Sequence, residues 1–152
     1  MVEDFDQTSS GLIKPIDRLA VCTGINTEIC GELIDIGENT AEVLFSTAVI
    51  MLSDGERSIH LGFLFNAAAY AALCAINKKN SIIISSETKF LAPIEIGQEI
   101  LFRAVALQNG FKKCEVKVEG FLLDIKVFEG FFHIAIFDKK LFKLKLKDEE
   151  DQ

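Results

Sequence analysis

The sequence has no tryptophan, one tyrosine and two prolines among 152 residues. Phenylalanine, with 13 copies, carries nearly all the aromatic content. Positive charge is in the minority: 16 Lys and Arg against 23 Asp and Glu leave a net charge of -7. A nucleic-acid binder usually carries a basic patch. The basic cluster here lies in the C-terminal tail, so no direct nucleic-acid partner is expected. The four cysteines, Cys22, Cys30, Cys74 and Cys114, form neither a Cys-x-x-Cys pair nor a Cys/His spacing suited to zinc. No secretory signal is read at the N-terminus. The expectation is reduced thiols, acting as small buried apolar groups, in a cytoplasmic protein. His60 and His133 are the only histidines. They leave room for one histidine-based site and argue against a multi-histidine metal centre, so neither a metal nor a resident cofactor is expected.

What is present is apolar. Hydrophobic residues make up 49% of the chain and charged residues 26%, enough for a real core in one domain. The chain is organised around His60 to Asn80, which reads as a helix apolar on every side and therefore buried all round. Asn66 and Tyr70 are its polar interior groups. They are four apart and share a face, so they need partners or face a cavity. Asn77, Lys78, Lys79 and Asn80 suit a helix C-terminus. From Gly62 to Asn77 such a helix spans roughly 24 Å, short of the ~30 Å hydrocarbon core, so no transmembrane segment is expected.

Strands surround this helix. Pro15 to Cys22 suggests a short helix with Pro in its first turn. Glu28 to Ile36 and Thr40 to Leu52 read as a hairpin turning at Gly37-Glu38-Asn39, with Val43, Phe45, Val49 and Met51 on one face. After the helix come Ile82 to Ala92, Gln98 to Gln108, Lys113 to Leu123 and Lys126 to Asp138, with Asn109-Gly110 as a hairpin turn. Lys113, Glu115, Lys117 and Glu119 alternate with Cys114, Val116 and Val118, which gives one wet and one dry face. Phe131 to Phe137 is apolar on both faces, and His133 within it reads as a satisfied core histidine. The order β-β-α-β-β-β-β implies an α+β fold, an antiparallel sheet wrapped around one helix. Residues 1–14 read as a flexible N-terminal segment, 15–138 as the domain and 139–152 as a charged tail. In the tail, Lys139, Lys140, Lys143, Lys145 and Lys147 interleave with Leu141, Phe142, Leu144 and Leu146. It reads as a last strand or helix with a frayed acidic end, or as a segment docking on a membrane surface or a partner.

This layout resembles the hotdog fold. Lys89-Phe90-Leu91-Ala92-Pro93-Ile94-Glu95-Ile96-Gly97-Gln98-Glu99-Ile100 resembles a segment of phenylacetate-pathway-type acyl-CoA thioesterases that reads k-F-L-x-P-v-x-x-G-d-x-l. His60-Leu61-Gly62-Phe63-Leu64-Phe65 resembles their H-G-G-x-x-F, which opens the helix. Val127-Phe128-Glu129-Gly130-Phe131-Phe132 resembles their last strand. Within the superfamily the sequence looks most like the acyl-CoA-sensing domain of a bacterial fatty-acid and phospholipid regulator. That regulator's DNA-binding domain has no counterpart expected before Pro15.

The resemblance implies an obligate homodimer, or a tetramer built from it, with sites between subunits. It implies an acyl-CoA or acyl-carrier-protein thioester as ligand, in the setting of bacterial fatty-acid metabolism. Family thioesterases carry a carboxylate nine residues after the motif histidine, as base or nucleophile. Counting from His60, that position is Ala69, and no Asp or Glu occurs from Leu61 to Ile84. The first motif glycine is replaced by Leu61. The carbonyl-binding half of the site, a backbone N–H at the helix start, is retained at Gly62. The residues implied as substrate-binding are His60, Gly62, Phe63, Asn66, Lys89 and Phe90. His60 and Glu87 are the catalytic candidates if hydrolysis occurs. Three readings follow: a non-catalytic thioester binder acting as sensor or regulatory partner, a thioesterase using Glu87 or a water held by His60 and Asn66, and a dimeric interaction module with a vestigial pocket.

Overall fold

The computed structural model describes residues 13–137. The 139–152 tail lies outside them, as does the N-terminal segment before Ile13. Six antiparallel strands, β1 (Glu32–Gly37), β2 (Thr40–Ser46), β3 (Ser81–Phe90), β4 (Glu99–Asn109), β5 (Lys113–Leu122) and β6 (Ile125–Ile136), form one sheet in the order β1-β2-β4-β5-β6-β3. The central helix, Gly62–Ile76, joins β2 to β3 and lies on one face of the sheet. This is the α+β hotdog architecture, with the expected element order.

The alternation read in β5 holds. Cys114, Val116 and Val118 are buried, while Lys113 is exposed and Glu115, Lys117 and Glu119 are half-buried on the outer face. That outer face is laced by charge, with Arg103 on Glu42 at 3.1 Å and Lys126 at 2.8 Å from both Glu119 and Glu129. On the inner face, register places Phe102, Gly120, Phe128 and Phe90 side by side across β4, β5, β6 and β3. The Phe102 and Phe128 rings meet edge-on at 5.5 Å, and Phe90 meets Phe128 at the same distance.

The structure corrects several expectations. Glu28 to Ile36 is not one strand. Asn26 caps a helical turn, Thr27–Cys30, its side chain accepting from the Glu28 N–H at 2.9 Å, and β1 starts only at Glu32. Gly31 makes the change of direction at φ +92°, where a Cβ would lie 2.7 Å from the Val43 side chain. The second strand stops at Ser46, because the Thr47 hydroxyl and N–H turn to the carbonyls of Glu95 and Gln98. A 3₁₀ turn over Val49–Met51 follows, which buries Met51 and leaves Val49 exposed. Pro15 starts a 3₁₀ turn that ends at Arg18. His133 is not a core residue: it lies on the outer face, half-exposed, 3.9 Å from Glu115. Of the cysteines, Cys30, Cys74 and Cys114 are buried free thiols and Cys22 is half-buried.

The helix itself ends as expected, with Asn77 left-handed at φ 53°. Its side chain accepts from the Ala20 N–H at 2.7 Å and donates to the Arg18 carbonyl at 3.0 Å. Residues 18–20 are thereby fastened across the helix end. Burial all round is not found within one chain. The helix leans on β2 and β4 and reaches β6 and β3 only lightly. Gly62, Phe65, Asn66, Ala69 and Leu73, on one flank, remain half-buried.

Candidate functional site

The helix start is built by short-range hydrogen bonds. The His60 N–H donates to the Met51 carbonyl at 2.8 Å. The Phe63 N–H donates to the His60 carbonyl at 3.1 Å, and that of Leu64 to Leu61 at 3.0 Å. No side chain caps the helix, and among the described residues nothing accepts from the Gly62 N–H. A helix start leaves such donors unpaired and carries partial positive charge. The His60 ring lies against Gly62: a Cβ there would sit 2.8 Å from Nε2 and 3.0 Å from Cδ2. The Phe63 ring meets the His60 ring edge-on at 6.1 Å. An exposed imidazole and a free backbone donor therefore share one mouth, where a carbonyl oxygen can accept a hydrogen bond.

The three motif segments meet here. The Ile59 N–H donates to the Ile94 carbonyl and the Ile96 N–H to the Arg57 carbonyl, so the segment before His60 runs beside Ile94 to Ile96. Arg57 Nε and Glu95 Oε1 add an ion pair at 3.3 Å. The Leu91 N–H donates to the Val127 carbonyl, and β3 pairs with β6 through Lys89–Glu129 and Phe90–Phe128.

From the mouth the half-buried flank continues through Asn66, Ala69 and Leu73. Phe65 lies on Phe132 at 5.5 Å, and Phe90, 41% exposed, closes the aromatic row at the sheet edge. Asn66 makes no side-chain hydrogen bond among the described residues. Ala69, the expected carboxylate position, belongs to this open flank. The candidates thus divide. His60, Gly62, Phe63, Asn66 and Phe90 lie on the helix side of the sheet. Glu87 and Lys89 pair with Phe131 and Glu129 on the outer face, and both are exposed. Within one chain Glu87 is turned away from His60.

Tyr70, read from the sequence as a core or dimer-interface residue, lies in the core, whereas Asn66 is half-buried. Tyr70 is fully buried, and its hydroxyl has no hydrogen-bond partner of ordinary geometry. Desolvation, with the Cys74 thiol as its nearest interacting group, pushes its pKa up. Burial raises the Cys74 thiol too, and that of Cys22 to about 11. Groups held neutral in this way are poor nucleophiles and suit a core. Tyr70→Phe removes an unsatisfied buried hydroxyl without changing shape. It is expected to raise stability by about 1 kcal/mol, read as a melting temperature about 2–4 °C higher. A groove of about 860 Å³ lies elsewhere, between Lys14–Ile16, Gly31–Ile34, Leu44 and Ser46. It holds none of the site candidates.

No family model matches the chain. Among solved structures, an HP0420 homologue from Helicobacter felis is 45% identical, with a TM-score of 0.77 over 80% of this chain and 99% of that one. Cj0977, a sigma28-regulated virulence protein from Campylobacter jejuni, is 35% identical, with a TM-score of 0.80 over 83% of this chain and 98% of that one. The chain belongs to their family. The family's hotdog architecture extends to the PaaI protein of E. coli, from its phenylacetic acid degradation operon. That protein is 22% identical, with a TM-score of 0.62 over 68% of this chain and 81% of that one, a likeness of fold alone. A curated relative, methylthioribose-1-phosphate isomerase of Aquifex aeolicus (strain VF5), is 40% identical over 116 residues, 76% of this chain. The match spans 25% of that protein's length. Glu87 and Lys89 lie on a solvated strand face, past a bulge between Ile83 and Ser85.

Proposed function

We propose that this hotdog protein binds an acyl thioester, carried by coenzyme A or an acyl carrier protein, at the helix mouth without hydrolysing it. The observation that carries the reading is the free Gly62 N–H beside the His60 ring, on a helix flank with Ala69 where hydrolysis needs a carboxylate. The Gly62 N–H donates to the thioester carbonyl oxygen, while the flank offers no general base within hydrogen-bond reach. Asn66 supplies a second polar contact, and Phe63 and Phe90 supply apolar wall. The open flank is closed by a second copy of the chain, so that the unit is a homodimer with the ligand between subunits. The likeness to the acyl-CoA-sensing domain of the fatty-acid and phospholipid regulator supports a sensing role in the cytoplasm. Lys89, on the outer face, reaches a ligand only where that second copy or the coenzyme's phosphates bring it into play.

Calorimetry and a hydrolysis assay over one chain-length panel of CoA thioesters test this together. Binding without turnover is expected. His60→Ala is expected to weaken binding by about tenfold, the worth of one hydrogen bond or ring contact. Gly62→Ala, which pushes the ring off the helix start, is expected to weaken it similarly. The rival reading is a thioesterase that borrows Glu87 from the second copy. It predicts turnover abolished by Glu87→Gln. Absence of binding across the panel sinks both and leaves an interaction module.

A further inference from the structure

Charge is unevenly spread over this acidic protein. Lys78 and Lys79 follow the central helix, and Lys112 and Lys113 come from the β4–β5 hairpin. The Lys78 ammonium donates to Asn109 Oδ1 at 2.7 Å and to the Gly110 carbonyl at 3.2 Å, which ties the two pairs into one corner. β6 finishes there too: the Ile136 N–H donates to the Lys112 carbonyl and the Phe137 N–H to the Asn80 carbonyl, both at 2.9 Å. From that point the sequence runs on with five more lysines (139, 140, 143, 145 and 147) interleaved with leucine and phenylalanine, and with five acidic residues, Asp138 before them and Asp148 to Asp151 after them. The carboxylates at this end among the described residues are Glu38 in the β1–β2 turn and Glu115, which faces His133 at 3.9 Å. At the hairpin tip, Phe111 is 96% exposed, and Leu107, at a bulge in β4, is 54% exposed. Nothing in the core holds Phe111.

We propose that this corner docks on an anionic lipid surface, with the exposed Lys79, Lys112 and Lys113 against the head groups and Phe111 entering the interface. Basic side chains near such a surface are attracted by its negative potential, and an aromatic ring settles at the head-group level. A lipid surface is favoured over an acidic protein because the apolar group protrudes from a convex tip rather than lining a groove. From Lys139 to Lys147 the sequence has the lysine-plus-apolar composition that interfacial segments use. The inference is independent of the thioester reading.

Flotation of the full chain with vesicles of phosphatidylcholine alone, or mixed with phosphatidylglycerol, tests the proposal. Binding is expected only with phosphatidylglycerol, weakening as salt screens the charge. Lys112→Glu combined with Lys113→Glu is expected to lower partitioning by at least about tenfold. Phe111→Ser is expected to lower it several-fold and leave the salt dependence in place. All three residues are exposed, so an unchanged melting temperature shows that the variants remain folded. Absence of phosphatidylglycerol-dependent binding overturns the proposal, and so does binding that survives the double charge reversal. Loss on charge reversal with Phe111→Ser equal to the parent also overturns it, marking a purely electrostatic surface for an acidic protein or RNA.

Discussion

Ala69→Asp is expected to give the chain thioesterase activity, raising turnover of a bound CoA thioester by about 10²- to 10⁴-fold over the parent. The position lies on the half-buried helix flank, two turns beyond the free Gly62 N–H. Residues 62, 66, 69 and 73 follow one another along that flank at helical spacing, so a carboxylate at 69 faces the same open side as the His60 mouth. In the proposed site the Gly62 N–H is the donor for the developing oxyanion, and the variant adds the base that draws a proton from water. Ala69→Asn is the control: it matches the size of Asp, cannot titrate, and is expected to bind without turnover. A folded, ligand-binding Ala69→Asp protein with no activity would show that the thioester carbonyl does not lie at Gly62. Ala69 is half-buried and faces the ligand space in the proposed dimer, so the substitution is expected to fold. Its Asp adds one negative charge to a protein already at -7.

How far the sequence reached can be judged from residues that behaved differently. The central helix was legible because fifteen residues without a charge leave few alternatives. Its ends were written in Gly62 and Asn77. The sheet order was carried by the resemblance, since periodicity says which residues face the core and not which strands are neighbours. Where local chemistry overrode periodicity, expectations failed. Asn26 and Gly31 turned a run of Glu, Ile and Cys into a helical turn. Thr47 ended β2 by spending its hydroxyl on a neighbouring loop. The Asn26 cap is a local signal, two residues from its partner, whereas the Thr47 bond spans 51 residues of sequence and leaves no local trace. His133 was misplaced for a different reason. Apolar neighbours on both sides suggested burial, yet in a central strand parity decides, and parity puts His133 with Glu115 on the outer face. The same parity separates Glu87 from His60. Within a single chain the two catalytic candidates therefore lie on opposite faces of the sheet.

Phe128→Ala is expected to cost about 3–5 kcal/mol, lowering the melting temperature by roughly 10 °C or more. Phe128 is fully buried at the centre of the aromatic row, with Phe102 and Phe90 each 5.5 Å away. Gly120 between them is what lets the rings meet: a Cβ there would lie 2.8 Å from the Phe102 ring and 3.0 Å from the Phe128 Cβ. The row is thus over-determined, and Gly120→Ala is expected to cost about 1–3 kcal/mol by overpacking the same place. Phe90 sits at the open end of the row and should separate the two roles of these rings. Phe90→Ala is expected to lower stability far less than Phe128→Ala, because much of its ring already faces water. It is expected to weaken thioester binding nonetheless, since the ring it removes is wall. Thermal melts and calorimetry on the two variants check this. Equal losses of stability would mean that Phe90 is covered in the assembled protein by a second copy. Unchanged binding in a stable Phe90→Ala would move the acyl chain off the β3 edge and further along the flank toward Leu73.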